Sequence, residues 1–307
     1  MGKIQLTEPA TAGTYGIPPK DFRLPEDIRL GPVRLQVADL DRSLEFYQKV
    51  IGLRPLAHKN GRAMLGAPQD VELVELIERK GARPAPSRGR TGLFHFALLL
   101  PNRKSLARFA RHLDKVGVSA GSADHLVSEA FYLQDPDNLG IEVYADRPRT
   151  QWRRRGRELM MATESIDFAD LLGSEDKPWD GVPPGTTMGH LHLHVGDLDL
   201  ASTFYSESLG FDRMVQGYPG ALFMGAGGYH HHLGTNIWAG REAKPPAADE
   251  SQMTEWTIHF PDQSSLSTAL RSLEKHKFSY TNSSEADDAE ALVQDPWGTH
   301  IRLKAER

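Results

Sequence analysis

Four times along this chain, a stretch of alternating apolar and polar residues gives way to one with helical spacing. The first opens at Gly31 as GPVRLQVADLDRSLEFYQKVIGL. The alternation is that of a strand with one buried face. Asp39-Leu40-Asp41 then offers a carboxylate to cap a helix, the helix carries the aromatic pair Phe46 and Tyr47, and Ile-Gly-Leu stops it. The stretch GHLHLHVGDLDLASTFYSESLGF, from Gly189, repeats these features with Phe204 and Tyr205 as the aromatic pair. Two further openings lie between and after them. GLFHFALLLP at Gly92–Pro101 leads into the helix NRKSLARFARHLDKVG, and Thr254–Pro261 leads into DQSSLSTALRSLEKHKF. The closings match as well, QDPDNLGIEV against QDPWGTHIRL.

The pattern predicts four modules of strand–helix–strand–strand–strand, an α+β chain. One helix on a small curved sheet cannot bury its apolar face alone, so the modules must pair, with their sheets forming cups. The expected layout is an extended, Pro- and Gly-rich arm over residues 1–30 and a first domain of modules one and two over 31–147. A linker with one or two short helices follows over 148–187, then a second domain of modules three and four over 188–307.

Composition narrows the chemistry. The 307 residues carry a formal net charge of −5, with acids and bases interspersed, which offers no electrostatic reason to expect nucleic acid or an anionic membrane as partner. No apolar stretch approaches the length that spans a bilayer, and the first residues have no apolar signal core, so a cytoplasmic location is expected. There is no cysteine, so a bound metal must be held by His, Asp or Glu. The basic run Trp152–Arg155 reads as a solvated face or an interdomain clamp.

The histidines are where chemistry is expected. In the third module Leu191, Leu193 and Val195 form the face that packs on the helices, which turns His190, His192 and His194 into the cup. The bland alternative is a solvated cup lined by uncommitted histidines. In the second module His95 opens onto the same kind of face. The run from His125 through Phe131-Tyr132 and the Asp135-Pro136 turn to Glu142 should place Tyr132 and Glu142 on neighbouring strands. Glu142, flanked by apolar residues, is either the exposed member of an alternating strand or a ligand inside the cup; with His95 it would supply two members of a two-histidine, one-carboxylate set. In GAGGYHHHLG, strand alternation puts His230 and His232 on one face and His231 on the other unless a bulge intervenes, and the glycines lack the spacing of a phosphate cradle.

These motifs resemble the vicinal oxygen chelate (glyoxalase/bleomycin-resistance) superfamily over nearly all of the chain after residue 30. The His125-to-Glu142 run is similar to the signature of its extradiol ring-cleaving dioxygenases of the two-domain catechol 2,3-dioxygenase kind. Ala123 and Asn138 depart from that signature at positions that do not contact metal in the family. The resemblance implies two cup-like half-barrels, iron(II) or manganese(II) held by His95, His190 and Glu142, and His231, His125 and Tyr132 as catalytic groups. It implies a dihydroxyaromatic substrate, catechol- or hydroquinone-like, with O2 as co-substrate, and leaves open whether the chain works as a homo-oligomer. The ligand set is complete only when modules two and three share a cup, within one chain or between subunits. Pro32, Glu255, Leu292 and Arg302 stand at the matching positions of modules one and four, so that cup is expected to be metal-free and structural. His230 and His232 are expected to face away from the metal. Two other functions fit the fold: a glyoxalase-type isomerase or a thiol- or epoxide-transferring enzyme, which would lack the His–Tyr–Glu run, and a metal-free protein that binds an aromatic drug.

Overall fold

In this computed structural model, residues 7–282 and 290–306 are described; the first six residues of the arm, residues 283–289 and residue 307 lie outside them. Each half of the chain contains two repeats of one unit. The first is β1 (Arg29–Val37), α1 (Leu40–Phe46), β2 (Arg54–Lys59), β3 (Arg62–Ala67) and β4 (Val71–Glu78). The second is β5 (Gly92–Leu99), α2 (Arg103–Val116), β6 (Gly121–Asp124), β7 (Ser128–Gln134) and β8 (Gly140–Asp146). Past a linker with a 3-10 turn (Arg149–Gln151) and a short α-helix, α3 (Phe168–Gly173), the third unit runs β9 (Thr187–His194), α4 (Leu198–Ala201), β10 (Asp212–Val215), β11 (Ala221–Gly225) and β12 (Leu233–Asn236). The fourth is β13 (Gln252–Phe260), α5 (Gln263–Lys275), β14 (Tyr280–Asn282), β15 (Glu290–Gln294) and β16 (His300–Ala305).

Helix starts follow the capping residues. Asp39, Asn102, Asp197 and Asp262 each accept a hydrogen bond from the backbone N–H three residues on, which satisfies one of the orphan donors of a helix N-terminus. Gly52 and Gly117 close α1's continuation and α2 in the left-handed conformation.

The two eight-stranded sheets each draw one module from each half. One has the order β10-β11-β12-β9-β5-β8-β7-β6 and the other β14-β15-β16-β13-β1-β4-β3-β2. Modules two and three therefore share a sheet through the antiparallel β9–β5 seam, and modules four and one through β13–β1. The cup that the ligand positions require forms within one chain.

The repeated aromatic pair has a structural use. A π-helical turn follows α1 and α4 and carries Tyr47 and Tyr205 into the core. Tyr47 donates its hydroxyl to Asp135 Oδ2 at 3.0 Å, and Tyr205 donates to Asp295 Oδ2 at 2.6 Å. These carboxylates belong to the two Asp-Pro turns, so each bond ties the first module of a half to its second. Burial pushes the Asp135 carboxyl up to about 6, although backbone N–H groups and Tyr47 hold it down. At the fourth position of the first of these turns, Asn138 takes φ 65°, and Gly298 takes φ 97° in the other. Asparagine tolerates that region, which explains why it can replace a glycine there.

The linker is built into the fold. Arg153–Arg155 pairs with Glu158–Leu159 and, on its other side, with Glu8–Pro9 of the arm. Trp152 is buried and donates its indole N–H to the Arg147 carbonyl. Among the described residues no helix is long and apolar enough to cross a membrane.

Candidate metal centre

The β9–β5 seam positions two of the candidate ligands, His95 and His190. Leu191, Leu193 and Val195 are buried in the main core, and His190 and His192 are buried on the other face. His194 lies half-buried at the rim, 2.7 Å from Asn236 Oδ1. In register, His192 faces His95 and His190 faces Ala97. Ala97 is also the partner of Glu142 on β8, so a methyl group separates the two flanking ligands and leaves room for them to converge. Two glycines make similar room. A Cβ at Gly189 would fall 1.9 Å from the Tyr144 hydroxyl, and one at Gly234 would fall 3.0 Å from the His192 ring.

His95 Nε2 and His190 Nε2 each lie 3.0 Å from Glu142 Oε2. The three residues form a group whose candidate ligand atoms all lie within 4.8 Å of one another, and all three are buried. Glu142 Oε1 and His190 Nδ1 have no hydrogen-bond partner among the described residues. Burial alone would push the Glu142 carboxyl up, but the facing imidazoles of His190 and His95 hold it well below the usual carboxylate range. Burial pushes His95 down, against the pull of Glu142. An ionised carboxylate and two imidazoles with their Nε2 atoms aimed at one point form the two-histidine, one-carboxylate face that suits iron(II) or manganese(II). The residues present fit such an ion.

Tyr132 faces Glu142 across β7–β8. Burial and the Glu142 charge push its phenol well above the usual range. His125 lies in the tight turn after β6, with Nδ1 2.6 Å from the Ala162 carbonyl and Nε2 2.6 Å from the Tyr132 hydroxyl. The carbonyl can only accept, so His125 Nδ1 carries a hydrogen. In the neutral ring Nε2 then accepts from Tyr132, and the pair has one hydrogen to share.

The three consecutive histidines precede β12, which begins only at Leu233, with bends at His230 and His232; as strand alternation would have it, His231 turns to the cavity and the other two do not. His231 lines the cavity, its ring centroid 4.1 Å from that of His190. His232 lines a separate cleft and accepts from the Ala226 N–H through Nδ1. His230 also stays off the cavity surface, as expected, and its hydrogen bonds run to His231 and to Asp146, the last residue of β8. Burial, then the His190 charge, pushes His231 well below the usual imidazole range, which leaves it neutral near pH 7.

The cavity above the ligands holds about 300 Å³ and contains all six residues singled out in the sequence. Several of its walls were not legible there. A register shift in the β9–β5 seam leaves Phe94 without a partner and swings it to the mouth, 5.6 Å from Trp238 between ring centroids. Phe223 and Tyr218 come from around β11. Met161 and Thr163 come from the linker, where Thr163 and Tyr218 share a hydrogen bond of 2.7 Å. Among the described residues lining the cavity, none is Lys or Arg.

The other sheet fills the matching positions with ion pairs. Arg302 meets Glu255 through two hydrogen bonds, of 2.7 and 2.8 Å, and also pairs with Glu290. Arg34 bridges Glu255 at 2.9 Å and Glu75 at 2.6 Å. A guanidinium therefore sits where the first cup has its carboxylate.

The sequence profile of the Glyoxalase/Bleomycin resistance protein/Dioxygenase superfamily matches residues 29–143 and 187–303. The chain belongs to that superfamily. A catechol-2,3-dioxygenase of Bacillus subtilis (strain 168) is 46% identical over 247 residues, which cover 78% of this chain and 86% of that protein. A crystal structure of a putative dioxygenase from the same species superposes with a TM-score of 0.62 at 13% identity, covering 92% of this chain and 86% of the other. Glyoxalase I from Zea mays superposes with a TM-score of 0.54 at 16% identity, covering 91% of this chain and 92% of the other. At those identities the solved structures speak for the vicinal oxygen chelate fold alone.

Proposed function

We propose that this chain is an extradiol dioxygenase that opens a catechol-type ring with O2, using iron(II) held by His95, His190 and Glu142. The observation that carries the reading is the convergence of these three buried side chains at the base of a cavity that also presents His231, His125 and Tyr132. Kinship with a catechol-2,3-dioxygenase over most of both chains supports it. Bound there, iron(II) would acidify a diol hydroxyl and give diol and O2 a common anchor.

The chain's own groups have separate tasks. Neutral His231 takes the hydroxyl proton at a ring nitrogen and later returns it to the product. The His125–Tyr132 pair hydrogen-bonds to a diol oxygen and, sharing a hydrogen, can follow its change of charge. Phe94, Phe223 and Trp238 receive the flat apolar ring, while Met161 and Thr163 limit water from the linker side. A metal-free binder would have no use for three buried ligand-type side chains, two of them with polar atoms left unpartnered.

The test is metal analysis of anaerobically purified protein, followed by O2 uptake with a panel of catechols and hydroquinones. One iron per chain and turnover of a catechol are expected, with both lost in Glu142→Gln. With no Lys or Arg among its described lining residues, the cavity offers no permanent cation to a carboxylate, so 3,4-dihydroxybenzoate should show kcat/KM at least about tenfold below that of catechol. Turnover independent of Glu142 refutes the reading.

A further inference from the structure

Behind the cavity wall lies a chain of titratable groups that the reaction outlined above does not use. Asp146 ends β8, four residues beyond Glu142 on the same face of the strand. Its Oδ1 lies 2.8 Å from His230 Nε2, and His230 Nδ1 lies 2.7 Å from His231 Nδ1. Tyr229 donates to the same Asp146 oxygen at 3.2 Å, and its own oxygen is 2.6 Å from the Tyr144 hydroxyl. Trp152 packs against the His230 ring with centroids 5.4 Å apart. His230 and His231 are both buried, so water does not compete for these contacts.

We propose that Asp146 and His230 are positioning residues that hold His231 as its Nδ1–H tautomer, leaving the Nε2 lone pair for the cavity. This rests on the reading of His231 as the base. The proton count leads to it. Two ring nitrogens 2.7 Å apart share one hydrogen. The Asp146 carboxylate can only accept, so His230 Nε2 carries a hydrogen. With His230 as a neutral imidazole, its one hydrogen is on Nε2, so His230 Nδ1 is an acceptor and His231 Nδ1 is the donor. His231 Nε2 is then bare, and it makes no hydrogen bond within the described residues.

The same count follows the proton during reaction. The substrate O–H bond breaks with its electron pair left on oxygen, and an N–H bond forms on His231 Nε2. The bridging hydrogen crosses from His231 Nδ1 to His230 Nδ1. The positive charge then rests on His230 beside Asp146, away from His190. Without the carboxylate, nothing selects between the two tautomers of His231, and the Nε2–H form cannot take a proton from a diol.

The test uses full-length protein labelled with ¹⁵N-histidine and freed of metal, in which ring nitrogen shifts report the tautomer of each histidine. Wild type should show His231 protonated at Nδ1. In Asp146→Asn the amide can donate to His230 Nε2, which inverts the relay and should bring up the Nε2–H form of His231. In the iron-loaded enzyme, Asp146→Asn and His230→Gln should lower kcat about 10–100-fold, the range for removing an orienting partner, with KM and iron content within about twofold. Asp146→Glu should recover part of kcat. A wild-type His231 carrying its hydrogen on Nε2 overturns the proposal. So does an Asp146→Asn protein that keeps both the Nδ1–H form and wild-type kcat. If wild type turns over no diol, the dioxygenase reading falls, while the tautomer measurement still decides whether Asp146 and His230 set His231.

Discussion

His231→Gln separates the base from the ligands. The imidazole lines the cavity against His190 but is not one of the three groups that converge on the proposed metal position. Glutamine keeps a polar side chain of comparable length and removes the basic nitrogen. Iron content should therefore stay at the wild-type level, and catechol affinity should change little. The proton step loses its acceptor. General acid–base catalysis contributes about 10²–10⁴-fold, which at about 1.4 kcal/mol per decade is about 2.7–5.5 kcal/mol of barrier. The neighbours calibrate the effect. His232 opens on a different cleft, and its ring is pushed down to about 3 chiefly by burial, so it stays neutral as a structural acceptor for the Ala226 N–H. His232→Gln should cost less than about threefold in kcat. O2 uptake, product absorbance and iron content would be measured on both variants beside wild type. A His231→Gln enzyme with near-normal kcat refutes the assignment. Loss of iron in that variant would instead make His231 a ligand and undo the three-residue set.

Two further outcomes follow from the frame around the site. Glu255→Gln removes the carboxylate shared by Arg302 and Arg34; leaving two guanidiniums against a neutral, largely buried amide should cost about 2–4 kcal/mol in urea unfolding, with iron content and turnover per folded molecule unchanged. Tyr205→Phe deletes the donor to buried Asp295 and should cost about 1–3 kcal/mol, a loss of several degrees in Tm by calorimetry; no change in stability would mean that the Asp295 carboxyl finds another donor.

What the sequence determined by itself is what depends on near neighbours in the chain. Period-two alternation set which face of β9 carries His190 and His192, because successive side chains on a strand must point oppositely. The capping aspartates and the Asp-Pro turn act within three or four residues, so helix starts and the Tyr132–Glu142 pairing were legible before any tertiary contact was known. Similarity to a family supplied the roles proposed for His95, His125, His190 and His231, which no local rule assigns. Tertiary structure alone decided the rest. The β9–β5 seam forms when two strand edges nearly a hundred residues apart zip together, and its register shift, which turns Phe94 into the mouth, depends on both strands at once. The His230–His231 contact forms in the bent segment ahead of β12, not in a strand. Ala162, Thr163 and Trp238 reach the cavity region only after the linker and loops have packed, and Asp146 reaches His230 across 84 residues of chain. Short-range hydrogen bonding and periodicity are written in adjacent residues, whereas the walls of a cavity belong to whichever distant segments the closed sheet brings to its edge.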